Sequence, residues 1–149
     1  MHKRSRALPL AFLAPAFLTA CQSGPTAHHS PEALYNEWKL VSLGGNSVED
    51  LIPHGAQIPS ITIARDGKVT GYTGVNALTS TIDVGTLPSG RFSLGSILTT
   101  RRAGAPQLMA VESALVDSLR QADTFSVRAQ TLTLSRGPEE LLTLTTPAK

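Results

Sequence analysis

From Trp38 onward the chain is written in short runs of alternating apolar and polar residues, each broken by Gly, Pro, Asn or Asp. Alternation of period two sends successive side chains to opposite faces of an extended strand, so each run covers a core with one face and meets water with the other. Residues 38–43 open the series with Trp38, Leu40 and Leu43, and Gly44-Gly45-Asn46 ends the run as a turn. Residues 48–59 are irregular, with Pro53 and Pro59 as breakers. Residues 61–63 and 69–72 flank Arg65-Asp66-Gly67-Lys68, where Asp-Gly supplies the positive φ of a tight hairpin. Residues 77–84 and 91–98 read as further strands, the second carrying Phe92, Leu94 and Ile97. Residues 124–128, 131–135 and 141–145 add three more, with Arg136-Gly137-Pro138-Glu139 turning between the last two.

One stretch breaks this rhythm. Pro106 suits the first turn of a helix, where its missing N–H costs nothing. Leu108, Val111, Leu115 and Leu119 (or Ala122) then recur at three- and four-residue spacing, making one apolar stripe for a core. Glu112, Asp117 and Arg120 are expected to face elsewhere. Seven or eight short strands and one helix, in that order, imply an α+β fold: a small antiparallel, curled sheet or partly open barrel with the helix packed against it.

The first twenty residues belong to a different problem. Met1 to Arg6 is short and basic, and residues 7–17 are apolar apart from Pro9 and Pro15. A membrane-crossing helix needs about 20 apolar residues for a core of ~30 Å, so this run reads as a secretory signal peptide. It ends Leu18-Thr19-Ala20-Cys21, which resembles the bacterial lipobox. In that motif the cysteine thiol takes a diacylglycerol, and small residues before it admit the chain to the peptidase that cuts there. The expected organisation is a signal over 1–20, a lipidated tether over 21–36 and one domain over 37–146. Some 14 extended residues span roughly 45 Å, enough to hold a domain clear of lipid headgroups. Gln22, not Asp, follows the cysteine. The sorting rule that retains Asp there at the inner membrane then sends this chain to the outer membrane, facing the periplasm.

Cleavage also changes the charge. Losing Lys3, Arg4 and Arg6 leaves 10 basic residues against 11 acidic ones, a net charge of −1. Arg101-Arg102 is then the only basic pair, which gives no clustered stripe for nucleic acid. Cys21 is the only cysteine, so lipidation leaves no thiol for a disulfide, a metal or a nucleophile. His28-His29 supplies two ligands on a tether, a poor metal site. No cofactor is implied.

Taken in order, Trp38-x-Leu40, Gly71-x-x-Gly74-Val75-Asn76, Thr99-Thr100-Arg101, Leu108-Met109-x-x-Glu112 and Leu132-x-Leu134 resemble the META domain carried by HslJ-like lipoproteins. The resemblance covers about residues 36–145. It implies a cracked barrel of about eight strands with one helix, and an envelope or stress role without an established enzymatic activity. The family's central motif usually reads Gly-x-x-Gly-Cys-Asn, with a second cysteine after the Thr-rich segment. Val75 and Gly104 stand at those two places here, so the pair is absent as a unit. Read from the residues, Gly71 and Gly74 allow tight turns, and Asn76 bonds its own backbone at one.

An enzyme would need parts that the sequence does not assemble. Beyond the signal the histidines are His28, His29 and His54, and the last sits in a Pro/Gly loop with only Asp50 near it. There is no Gly-x-Ser-x-Gly elbow. Glu49-Asp50 and Glu139-Glu140 are adjacent pairs in loops, the habit of a solvated surface. Glycines 67, 71 and 74 do not fit a nucleotide cradle, which also wants a helix next. A periplasmic hydrolase is thus disfavoured, and no catalytic residue is assigned. A non-catalytic binding module needs less: a sheet edge for a partner strand, or a barrel mouth for an acyl chain. A pilot lipoprotein serving a secretion partner is the alternative, by analogy of fold. The candidate surface is Arg101, Arg102 and Asn76, with arginine suited to a carboxylate or phosphate.

Overall fold

The computed structural model describes residues 30–147. Cys21, the apolar run before it and His28-His29 lie outside them. Among the described residues three α-helices are present, α1 (Pro31–Leu34), α2 (Val48–Leu51) and the long α3 (Pro106–Gln121), besides a short 3-10 turn at Leu87–Ser89. Nine strands accompany them: β1 (Glu37–Leu43), β2 (Asn46–Ser47), β3 (Ser60–Ile63), β4 (Lys68–Tyr72), β5 (Ala77–Thr81), β6 (Leu98–Thr99), β7 (Thr124–Arg128), β8 (Thr131–Arg136) and β9 (Glu139–Thr145). All join one antiparallel sheet in the order β6-β5-β4-β3-β1-β9-β8-β7, with β2 hairpinned onto β1. The sheet is not closed, and the α+β architecture is the one the alternating runs imply.

Alternation does the folding. In β1 Trp38, Leu40 and Leu43 point inward, Ile61 and Ile63 follow from β3, and Leu132 and Leu134 from β8. Register shifts curl the sheet further: one falls between Leu40 and Ser42, the other beside Leu134. The second lets the consecutive Leu141 and Leu142 both turn inward, which a regular strand forbids. Against this face α3 lays Val111, Leu115, Val116 and Leu119.

Several expectations change. Leu34, assigned to the tether, is fully buried on α1, and its carbonyl accepts the Trp38 indole N–H at 2.8 Å. The packed body therefore begins before residue 37. A four-residue helix is too short to show a periodicity, as is α2 within the stretch read as irregular. Residues 91–98 do not form a strand either. This segment crosses the open side of the sheet, touching it through isolated bridges Ile82↔Leu94 and Arg91↔Thr124. Phe92 and Phe125 donate backbone bonds to Asp123 and Gly90 there, at 2.9 and 3.1 Å. Only Leu98 and Thr99 pair regularly, with β5.

Candidate binding site

The β4–β5 corner holds the densest buried polar group. Thr73 N–H donates to Asn76 O at 2.9 Å, a tight turn. Gly74 in that turn takes φ 114°, which an L side chain rarely adopts. Gly71 serves a different purpose from the turn expected for it. It lies inside β4 opposite Ile61, and a Cβ there would stand 2.4 Å from the Ser60 carbonyl oxygen. It is needed for close approach between backbones.

Glu112 reaches this corner from α3. It is 8% exposed, against the expectation that it faces away from the stripe. Helical spacing held the signal: residue 112 lies four after Leu108, three before Leu115 and four before Val116. Its Oε2 accepts the Asn76 backbone N–H at 3.0 Å and the Thr73 hydroxyl, while Asn76 Nδ2 lies 2.9 and 3.1 Å from its two oxygens. A carboxylate has about four acceptor positions, so these donors nearly fill it.

Asn76 is 2% exposed, so it cannot form part of the exposed surface expected of it and lies beneath the Arg101-Arg102 segment. Nor does its side chain bond its own turn. Its Oδ1 accepts the Arg102 N–H at 2.7 Å and the Thr100 hydroxyl at 2.8 Å, and its Nδ2 also donates to Arg102 O at 3.2 Å. Turning the amide over would set its oxygen against the carboxylate, so chemistry fixes its orientation. The amide thus acts as one more strand residue, pairing with Arg102 where the β5–β6 ladder has ended. Thr100 adds N–H to Ala77 O and receives the Ala77 N–H on its hydroxyl, both at 3.1 Å. Among the described residues no buried side-chain polar atom lacks a partner.

On the outside of this clamp, Arg101 and Arg102 are exposed. Among the described residues neither guanidinium has an ion pair or hydrogen bond, as is also true of Arg91 and Arg128, whereas Arg65, Arg120 and Arg136 pair with Glu32, Asp117 and Glu139. The structure therefore unites the Gly71–Asn76 and Thr99–Arg102 segments, as the motif pattern implies, but sorts them into a buried support and an exposed loop. Val75 and Gly104 also meet: a Cβ on Gly104 would lie 3.3 Å from Val75 Cβ.

Elsewhere, an apolar groove of about 490 Å3 runs between α2 and α3, lined by Leu43, Leu51, Ala110 and Ala114. A cleft of about 560 Å3 opens beside Trp38, Val127 and Gln130. His54 is an exposed loop residue. Among the described residues no three His, Cys, Asp or Glu side chains converge as metal ligands, and no helix is long and apolar enough to cross a membrane.

Comparison with known proteins agrees with this picture. A family model described as META domain matches residues 32–149. An NMR structure of a protein from Burkholderia xenovorans aligns at 19% identity and TM-score 0.61, over 98% of this chain and all of that one. A second NMR structure aligns at 20% identity and TM-score 0.60, over 78% of this chain and 93% of the other. A crystal structure of a DUF4847 family protein from Bacteroides vulgatus gives 16% and 0.51, over 78% and 95%. At these identities the likeness is one of fold. No curated protein sequence matches significantly.

Proposed function

The chain belongs to the META domain family, and from that premise we propose that it is a lipid-anchored envelope protein whose domain works by non-covalent binding, without catalysis. One observation carries the binding reading. The buried Thr73, Asn76 and Glu112 spend their polar atoms on one another and on the backbone of residues 100–102, while Arg101 and Arg102 are left outside without partners. A catalytic group must reach its substrate, and this carboxylate is walled in by donors. Exposed arginines on a backbone held in place suit recognition of a carboxylate or phosphate.

The anchor rests on Leu18-Thr19-Ala20-Cys21 and the basic, apolar run before it. Diacylglycerol on Cys21 would bind the chain firmly, at about 0.8 kcal/mol per buried CH₂. Outer-membrane placement, facing the periplasm, follows from Gln22. Cys21→Ser is expected to leave the precursor uncleaved by the lipoprotein peptidase and to remove its acyl mass. A serine variant that still matures and stays on the membrane removes the anchor from this reading. For the domain, envelope pull-downs with wild type and folded Arg101→Ala should differ in a partner. Turnover of an envelope substrate by purified protein would overturn the non-catalytic reading.

A second reading, capture of an acyl chain, draws on the apolar groove between α2 and α3, whose volume falls within the ~300–1,000 Å3 usual for ligand sites. Native mass spectrometry of protein purified from membranes decides it: a retained lipid supports the groove, and a bare mass removes it.

A further inference from the structure

We propose that the outer edge of β6, with the adjoining flank of α3, receives an extended peptide from a partner protein, added as a further strand with an acidic residue toward Arg101. This rests on the binding reading above and specifies its partner.

The backbone supplies the first part of the argument. β6 ends the sheet order, so one of its edges has no neighbour. Thr100 N–H donates inward to Ala77 O, and Arg102 N–H donates inward to Asn76 Oδ1. Successive peptide groups of an extended chain point to opposite sides, so the N–H and C=O of Thr99 and Arg101 point outward. Neither N–H has a hydrogen-bond partner among the described residues. Two outward residues two apart are the repeat that an incoming strand pairs with. Protected edges are ordinarily blunted by Pro, by Lys or by a covering segment. Here the clamp from Asn76 and Glu112 holds the edge from behind.

The second part is the surface beside that edge. Thr99 and the α3 residues Glu112, Ser113, Val116, Asp117 and Arg120 line a cleft of about 230 Å3. That is below the ~300–1,000 Å3 of small-molecule sites, and it suits side chains from a strand laid along it. Leu98, 67% exposed, offers an apolar contact on the opposite face of the edge.

Charge then selects the peptide. Glu112 is filled by donors from Thr73 and Asn76, and Asp117 is paired with Arg120. The exposed charges at this rim without an ion-pair partner among the described residues are Arg101 and Arg102, which continue β6. A carboxylate on the incoming strand, level with Arg101, completes the complementarity.

The test titrates a capped hexapeptide of alternating Val and Glu into the full-length, detergent-solubilised, isotope-labelled chain and follows amide NMR shifts. Saturable shifts at Thr99 and Arg101 are expected. Methylating alternate peptide amides, which removes its strand hydrogen bonds without changing charge, should weaken binding at least tenfold. Arg101→Glu should do the same, and replacing peptide Glu by Lys should abolish binding. Thr99→Pro deletes one outward N–H while Leu98 and Thr100 keep their inward bonds, and should also weaken binding. If that variant misfolds, the methylated peptide gives the answer on unaltered protein. Equal binding of the methylated peptide overturns the proposal, as do shifts confined to the α2–α3 groove or to the cleft beside Trp38. So does full competition by free glutamate, which would reduce the site to a simple anion contact. In each of those cases binding persists in another mode or at another place, and the broader reading survives. Absence of any ligand together with substrate turnover would remove the broader reading itself.

Discussion

At β8, Leu132 and Leu134 are completely buried and face other aliphatic side chains from β1 and β9. At the β4–β5 corner, Thr73, Asn76 and Glu112 are nearly as deep, yet all three are polar. The first region is held by buried area, which is indifferent to direction and tolerates a change of shape at constant volume. The second is held by matched donors and acceptors, so a change of one atom type counts even when the shape is kept. The clamp at the corner fixes where residues 100–102 lie, something that apolar contact alone does not specify.

Volume is the way to break the first region. Leu132→Ala should cost about 2–5 kcal/mol in denaturant unfolding, and Leu132→Met less than about 1.5 kcal/mol. A methionine variant as damaged as the alanine one would mean that the apolar side is as exacting as the corner. A covalent tie tests the other side. Val75→Cys with Gly104→Cys closes a loop of about 30 residues and, once oxidised, should stabilise by roughly 3–4 kcal/mol. The Cβ separation of 3.3 Å falls just short of the usual 3.5–4.5 Å, so a shift of a few tenths of an ångström suffices. Gly104→Ala alone should destabilise, because its Cβ would meet both Val75 methyls, at 2.6 and 2.8 Å. If the oxidised pair melts no higher than the reduced one, the two segments are not held side by side.

Atom type is the way to break the corner. Glu112→Gln keeps the shape but turns an NH₂ toward Asn76 Nδ2 or the Thr73 hydroxyl, leaving a buried donor unpaired. The expected cost is about 1–3 kcal/mol. Amide exchange should quicken at Thr100 and Arg102 more than in β8 and β9. Uniform acceleration over the whole sheet would dissolve the contrast between the two regions.

The apolar region was the legible one. Alternation marked Trp38, Leu40, Leu132 and Leu134 as inward, because a single period decides their side. The Asp66-Gly67 hairpin was equally readable, Gly67 taking φ 84°. The corner was harder, since Glu112 and Asn76 are residue types that usually face water. Their spacing, 36 residues apart, carries no local signal of contact. Arg101 and Arg102 could be found as a pair, but which atoms hold them in place became visible only with α3 docked. Residues 91–98 misled because apolar spacing looks the same whether a segment runs along a neighbouring strand or crosses between two.

The smallest effect compares two hairpin turns, one on each side. At the corner, the left-handed position is Gly74, the residue with least strain there. Between β7 and β8, Arg128 pairs with Thr131, so Ala129 and Gln130 form a two-residue loop. Ala129 has φ 51° and is the only non-glycine among the described residues with positive φ. Positive φ at the first loop position alone is the pattern of a type II′ turn, which favours glycine there. Alanine in that conformation is strained by roughly 1–2 kcal/mol. Glycine relieves the strain but adds freedom to the unfolded chain, worth about 0.4–1 kcal/mol the other way. Ala129→Gly should therefore stabilise by about 0.5–1 kcal/mol and raise Tm by a few degrees, with Gly74→Ala destabilising in the mirror experiment. A drop in Tm for Ala129→Gly would mean that the methyl contributes contacts exceeding the relief of strain, and that this turn, like the strands beside it, is held by apolar packing.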